Sequence, residues 1–379
     1  MNDANMLDFT PSEDPFVVDH GGFYRRWLSM IDDLDELEAT VAKVEATSED
    51  KWVPLWSGLA RRYEDAGDRL EAAGDFAAAR KAYLTAKAYY SIARYPGAIT
   101  PVKAAACADL ARAYQKATAR LDPPLEVVDV PCDGQAIRSH FRAPRSDRPV
   151  GAVLIMCGYD MFKEDRGWAG EFALANGLAS LVMDAPGTGE NPFAWDPASV
   201  RAWMAAVDWL AARPEVDANR IGAFGISRGG YSVMQLAGCY PEMVKAVVAN
   251  AGHPFGYRMS EQETRDFVDA RNARASFVFG APGDRTSFET WSVERENGLF
   301  RIWALSEQGI LDKITMPVLM INGKHDHLAP IGNIYFMLEN GPVGRRSARI
   351  YADAGHCAFK HYGDWGPASF RWLAEKLSG

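Results

Sequence analysis

The chain has 379 residues, 48% hydrophobic and 11% aromatic, enough for one large or two average cores and too apolar for a disordered polymer. A formal net charge of −9 argues against nucleic acid as a partner, because phosphate recognition needs clustered Lys and Arg. Cys107, Cys132, Cys157, Cys239 and Cys357 form no C-x-x-C pair, no run reaches the roughly 18 apolar residues of a membrane span, and the acidic N-terminus lacks a signal-like apolar stretch, so the expectation is a cytoplasmic protein with free thiols.

From Asp19 to Leu121 the apolar positions recur at helical spacing. Tyr24, Trp27, Leu28, Ile31 and Leu34 make one stripe, and Trp56, Leu59, Ala60 and Tyr63 another. Gly74-Asp75-Phe76 then separates two helical patterns, like one tetratricopeptide hairpin, but no second copy follows, so a solenoid is not expected. Residues 1–122 read as an all-helical module of about five helices. Leu121-Asp122-Pro123-Pro124 ends it, since two prolines stop a helix and stiffen a linker.

Beyond that boundary the period changes. Leu125–Pro131 and Ala136–Ala143 alternate apolar and polar residues around Asp133-Gly134, a hairpin signal. Short apolar runs follow at Val150–Met156, Ala179–Met183, Ile221–Phe224, Ala246–Val248, Val318–Ile321 and Arg349–Tyr351, with amphipathic segments between them. Strands alternating with helices imply a mostly parallel sheet covered on both faces. The segment 253–312 has no apolar strand but many aromatics, and reads as a helical lid insertion within a catalytic domain of residues 123–379.

One strand, Arg220–Phe224, runs into Gly225-Ile226-Ser227-Arg228-Gly229. Glycines flanking a serine at this spacing suit a nucleophile elbow, a strand-to-helix turn too tight for side chains at the flanks. A serine hydroxyl barely ionises at neutral pH, so it needs a base, and the base needs an orienting carboxylate. The chain supplies them in the order Ser, Asp, His: Asp326 follows the Val318–Ile321 strand, and His356 follows the Arg349–Tyr351 strand. Asp353, His325 and His327 compete for these roles, and Asp326 is preferred for its place in Gly-x-x-Asp-x-x-x-Pro after a buried-type strand. An oxyanion hole needs backbone N–H donors. Those expected are the amides of Arg228, opening the elbow helix, and of Tyr159, in the Cys157-Gly158-Tyr159-Asp160 loop where Gly158 permits close approach. Cys157 has no base beside it and reads as a packed thiol. Asp184-Ala185-Pro186-Gly187-Thr188-Gly189 lacks the Gly-Lys-Ser/Thr ending of a phosphate loop, and His325-Asp326-His327 lacks further ligands at metal spacing, so neither a cofactor nor a metal is expected.

Several motifs in order, Ala93-Arg94-Tyr95-Pro96, Lys103, Ala113-Tyr114, Gly158-Tyr159-Asp160-Met161-Phe162-Lys163-Glu164-Asp165 and Asp184–Glu190, give the chain a family likeness. It resembles the α/β-hydrolase group that contains the fermentation-respiration switch proteins, 2,6-dihydroxypseudooxynicotine hydrolase and fungal polyketide-shortening pigment hydrolases. The likeness implies an α/β-hydrolase fold, a triad at Ser227, Asp326 and His356, and an oxyanion loop at Gly158-Tyr159, where related loops usually carry a second glycine in place of Cys157. It further implies a homodimer whose N-terminal helices cover the site. It implies either cleavage of a C–C bond beside a ketone, releasing a carboxylic acid, or esterase chemistry. The aromatic insertion suits a bulky, flat small-molecule substrate, with His253, Tyr257, Phe277, Phe279 and Trp291 as candidate contacts beside Gly158. An ester or thioester hydrolase, an acyl transferase, and a catalytically idle binding scaffold are the other readings; the complete triad argues against the last.

Overall fold

The computed structural model describes residues 31, 33–43, 49–95, 100–279, 291–342 and 344–378, with backbone alone for 34, 270, 271 and 273–279. These fall into two compact units, 31–125 with 272–279, and 126–271 with 291–378. Of the first predicted stripe, Tyr24, Trp27 and Leu28 lie outside the described residues.

The first unit contains α1 (Leu34–Val41), α2 (Glu49–Ala72), α3 (Phe76–Arg94) and α4 (Pro101–Thr118). Their ends follow local chemistry. Asp75 accepts from the Ala78 amide at 3.1 Å to open α3, and Thr100 caps α4 with Pro101 in its first turn. Two members of the second predicted stripe pack on one ring: Trp56 stacks on Tyr89 with centroids 6.1 Å apart, and Tyr63 lies 5.6 Å from the same ring.

The second unit is built on eight strands: β1 (Glu126–Cys132), β2 (Gln135–Arg142), β3 (Val150–Met156), β4 (Ala179–Met183), β5 (Val216–Ile226), β6 (Val247–Asn250), β7 (Val318–Gly323) and β8 (Arg346–Tyr351). They lie in the order β1-β2-β4-β3-β5-β6-β7-β8. β1 and β2 form the antiparallel hairpin expected around Asp133-Gly134, β2 pairs antiparallel with β4, and every later pairing is parallel. Helices α5 (Gly167–Ala175), α6 (Val200–Ala211), α7 (Arg228–Cys239), α10 (Gly332–Glu339) and α11 (Tyr362–Lys376) connect or follow the strands. Two further helices, α8 (Glu261–Phe279) and α9 (Val293–Trp303), fall in the predicted insertion. Central strands β3, β4, β6 and β7 are buried along almost their whole length, as a sheet covered on both faces requires. Two apolar clusters, one on each side of the sheet, carry the core: Trp203, Tyr231 and Leu305 belong to one, Phe224, Trp365 and Phe370 to the other. This parallel arrangement brings the carboxyl ends of β3, β5, β6, β7 and β8 to one rim. No helix among the described residues is long and apolar enough to cross a membrane.

Candidate active site

Ser227 stands between β5 and α7 with φ 57° and ψ −119°, a left-handed backbone that a non-glycine residue adopts only when its surroundings hold it there. A Cβ at Gly225 would run into the Gly229 carbonyl, and one at Gly229 into the Met156 carbonyl of β3. Only glycine lets the helix fold back this closely on the strand. The Ser227 amide donates to the Asn250 carbonyl of β6 at 2.7 Å, fixing the elbow to the neighbouring strand.

The Ser227 hydroxyl lies 3.0 Å from His356 Nε2, and His356 Nδ1 lies 2.8 Å from Asp326 Oδ2. The three residues named from chain order thus meet in one hydrogen-bonded chain, on loops after β5, β8 and β7. Asp326 Oδ1 accepts the amides of Leu328 (2.7 Å) and Ala329 (3.0 Å), and Oδ2 also accepts from Asn322 Nδ2 at 2.8 Å. Burial opposes its charge, but His356 and these donors outweigh it and hold the carboxyl below the usual carboxylate range. For His356, burial disfavours the cation, yet the Asp326 carboxylate overrides this and raises the imidazole above the ordinary histidine range. The rivals sort by exposure: Asp326 is 6% exposed and His356 7%, whereas His325 and His327 are exposed. Asp353 pairs instead with Lys360 at 2.9 Å and His361 at 2.6 Å.

Two buried asparagines support this loop set and were not singled out in the sequence. Asn322 Oδ1 accepts the amides of Gly323 and Cys357 at 2.8 and 3.2 Å, so one side chain ties the acid loop to the residue after His356. Asn250 Nδ2 donates to the Cys357 carbonyl at 3.1 Å. A polar residue closing an otherwise apolar strand is the only trace either leaves in the sequence.

The Gly158-Tyr159 loop lies beside the serine: a Cβ at Gly158 would sit 3.5 Å from Ser227 Cβ and 3.2 Å from the Ile226 carbonyl. Cys157, buried, donates its amide to Met183 at 3.1 Å, and burial first of all pushes its thiol well above the ordinary range, as a packed thiol should be. The far end of the loop is held by Lys163, 1% exposed. Its ammonium meets Glu164 at 2.9 Å, Asp184 at 3.1 Å and Glu190 at 2.6 Å, and its amide donates to Asp184 Oδ1 at 2.7 Å. Asp184 Oδ2 also accepts the Glu190 amide at 3.0 Å. The Asp184–Glu190 segment is thus a strand-to-loop turn whose two ends bond Lys163. Burial, then Lys163, push His140 on β2 down to about 3, so it is neutral beside this cluster.

The predicted substrate contacts are dispersed. His253 Nδ1 accepts from Asn333 Nδ2 at 2.9 Å, and its Nε2 faces Glu296 of α9 at 3.4 Å. Trp291 Nε1 donates to the same carboxylate at 2.8 Å, so His253 and Trp291 converge on Glu296. The Tyr257 hydroxyl donates to Glu263 at 2.7 Å. None of these bonds joins the Ser227–His356–Asp326 chain. The side chains of Phe277 and Phe279 lie outside the described residues. The Arg228 guanidinium lies over the rings of both Tyr159 and Trp195, 4.5 Å from each centroid.

A family model described as "Esterase FrsA-like" matches residues 35–344. The chain is 24% identical over 310 residues to 2,6-dihydropseudooxynicotine hydrolase of Paenarthrobacter nicotinovorans, covering 81% of this chain and 79% of that one. It is 25% identical over 292 residues to Esterase FrsA of Photobacterium profundum, covering 73% of this chain and 65%, just under two thirds, of the relative. Among solved structures, the 2,6-dihydroxy-pseudo-oxynicotine hydrolase superposes with a TM-score of 0.73 at 22% identity, over 94% of this chain and 95% of that one. AbyA5 superposes with a TM-score of 0.68 at 18% identity, over 94% and 98%. These structural likenesses bear on the fold, which is that of an α/β-hydrolase.

Proposed function

We propose, from the premise that this chain belongs to the FrsA-like esterase family and is an α/β-hydrolase enzyme, that it is a serine hydrolase acting through Ser227, His356 and Asp326 on a C–C bond beside a ketone. The observation that carries the reading is the chain of short hydrogen bonds, 3.0 Å from serine to His356 and 2.8 Å from His356 to Asp326. In this mechanism the neutral His356 takes the Ser227 proton as Oγ attacks the carbonyl carbon. The Asp326 carboxylate holds the resulting imidazolium in place. The alkoxide that forms is met by the Arg228 and Tyr159 amides, backed by the N-terminal end of α7. Collapse breaks the C–C bond, the departing carbon accepts the proton from His356, and water then hydrolyses the acyl-enzyme to release the carboxylic acid. A carbanion departs only if stabilised, so the substrate class is a β-diketone or an acyl group on an electron-rich ring. In the same proposal the segment 253–312 acts as lid, His253, Tyr257, Phe277, Phe279 and Trp291 contact the substrate, and the protein works as a homodimer.

A second reading, ester or thioester hydrolysis with the same groups, is favoured by the esterases among the relatives. Nitrophenyl esters assayed beside a panel of aromatic β-diketones, with mass detection of both fragments, separate the two. Turnover of diketones is the expected result; turnover of esters alone would replace the C–C reading with the second. A fluorophosphonate is expected to label Ser227 and to leave Ser227→Ala unlabelled, with turnover of that variant at least about a thousandfold lower. Label on another residue would overturn the nucleophile assignment.

A further inference from the structure

The two expected oxyanion donors, Tyr159 and Arg228, belong to different loops, and an oxyanion hole works only if such donors are pre-aligned. Arg228 is fixed, because it opens α7 directly after the strained Ser227. Tyr159 lies in mid-loop, between the Cys157 amide bond to Met183 and the Lys163 clamp. Both clamps grip the ends of that loop. The Arg228 side chain contacts its middle.

The Arg228 guanidinium lies over both the Tyr159 and the Trp195 rings, 4.5 Å from each centroid and well inside the ~6 Å reach of a cation–π contact. Trp195 in turn stacks on Trp303, the last residue of α9, with centroids 5.0 Å apart and planes at 10°. Tyr231 of α7 packs edge-on against both indoles, at 6.2 and 5.8 Å, and its hydroxyl donates to the Trp303 carbonyl at 2.7 Å. Gln308 Nε2 donates to that hydroxyl at 2.8 Å. The result is a connected set of pairwise contacts, Tyr159–Arg228–Trp195–Trp303, running from the insertion to the loop beside the serine.

We infer that the Arg228 side chain is a positioning residue: by stacking on Tyr159 it sets the spacing of the two oxyanion amides, and Trp195 and Trp303 hold it in that pose. The inference rests on the serine-hydrolase reading above. It requires that Arg228→Met, which keeps the Arg228 amide and loses the cation, weaken oxyanion stabilisation without weakening encounter with the ligand.

Fluorophosphonate inactivation reads this directly, because the adduct's phosphoryl oxygen occupies the oxyanion position. In Arg228→Met the maximal inactivation rate is expected to fall roughly five- to thirtyfold, the worth of about one or two cation–π contacts, with the half-saturating concentration unchanged. Arg228→Lys, which keeps a cation over the rings, is expected to recover most of the loss. Trp195→Leu, removing one ring alone, is expected to lose roughly two- to fivefold and replaces Arg228→Met as the test should that variant melt early. An unchanged inactivation rate in folded variants would overturn the positioning role. So would a loss confined to the half-saturating concentration, which would make Arg228 a ligand contact instead. A wild-type protein that takes no label at Ser227 would overturn the serine-hydrolase reading itself, which keeps the two failures apart.

Discussion

Replacing Lys163 by methionine keeps the apolar stem of the side chain and removes the ammonium that meets three carboxyl groups. Glu164 and Asp184 are 3% and 0% exposed, so neither can recover water when the cation goes. Glu190, whose side chain is 45% exposed, can. Breaking a buried pair by deleting one partner costs about 3–5 kcal/mol, a large part of the ~5–15 kcal/mol that holds a typical protein folded. Two contacts soften the loss: the Lys163 and Glu190 amides still donate to Asp184, at 2.7 and 3.0 Å, whatever side chain residue 163 bears. At about 2–4 °C per kcal/mol for a domain of this size, the melting midpoint near neutral pH is expected to fall by roughly 6–20 °C. The deficit also has a pH signature. Burial already holds the Asp184 carboxyl above the usual range, and Lys163 is what pulls it back down. Without that cation the folded-state value rises further above the unfolded value of about 4. Stability tied to a raised carboxyl is present below the unfolded value and lost as pH climbs through the folded one. Thermal melts of wild type and variant at pH 5 and pH 7.5 should therefore show a gap that widens with pH. A gap that stays constant or narrows, or a midpoint within about 2 °C of wild type, would refute the claim that this ammonium neutralises buried carboxylates. Glu190→Gln is the contrast, and at a half-exposed site should cost no more than ~1 kcal/mol.

Because Asp326 raises His356, the acid limb of the pH–activity profile should lie above the ordinary histidine value of about 6.5, with activity rising as the imidazole loses its proton; a limb below pH 6 would contradict the Asp326–His356 coupling. Asp326→Asn should move that limb to lower pH while cutting turnover by roughly 10⁴-fold, read from the same profile. Gly225→Ala should abolish fluorophosphonate labelling, because its Cβ would meet the Gly229 carbonyl, whereas Gly58→Ala, with open space around it in mid-helix, should leave labelling intact and add up to about 1 kcal/mol of stability. Equal labelling of both variants would mean the elbow tolerates a side chain after all.

Much of this fold follows from apolar continuity in the sequence. The runs Val150–Met156 and Ala179–Met183 coincide with β3 and β4 to the residue, because central strands buried on both faces read as near-continuous apolar runs, broken here only by small Ser180. Strand ends were less legible where that condition lapses. β5 begins at Val216, not Ile221, since Asp217, Ala218, Asn219 and Arg220 continue the strand with partly or fully exposed side chains. β8 begins at Arg346, not Arg349, since an edge strand half open to solvent alternates and so looks shorter. The positions of Ser227, Asp326 and His356 were legible for a related reason. Each sits a few residues past a recognisable strand, and strand ends of a parallel sheet converge on one rim.

What escaped the sequence is the set of contacts that hold those loops to one another. Lys163-Glu164-Asp165-Arg166 is four charged residues in a row, which ordinarily marks a solvated turn, yet all four are buried. For Lys163 the partner that allows burial, Asp184, lies 21 residues on, and no local pattern connects the two. The same holds for Glu296 facing His253 across 43 positions and for Arg228 meeting Tyr159 and Trp195. A strand announces where a functional side chain must emerge, because burial constrains every residue along it. The loop beyond is constrained only by partners distant in the chain, and those partners decide how closely two amides can approach one oxygen. Under the proposed mechanism, the rate would then depend on side chains such as Arg228 and Lys163, whose residue types alone gave no sign of it.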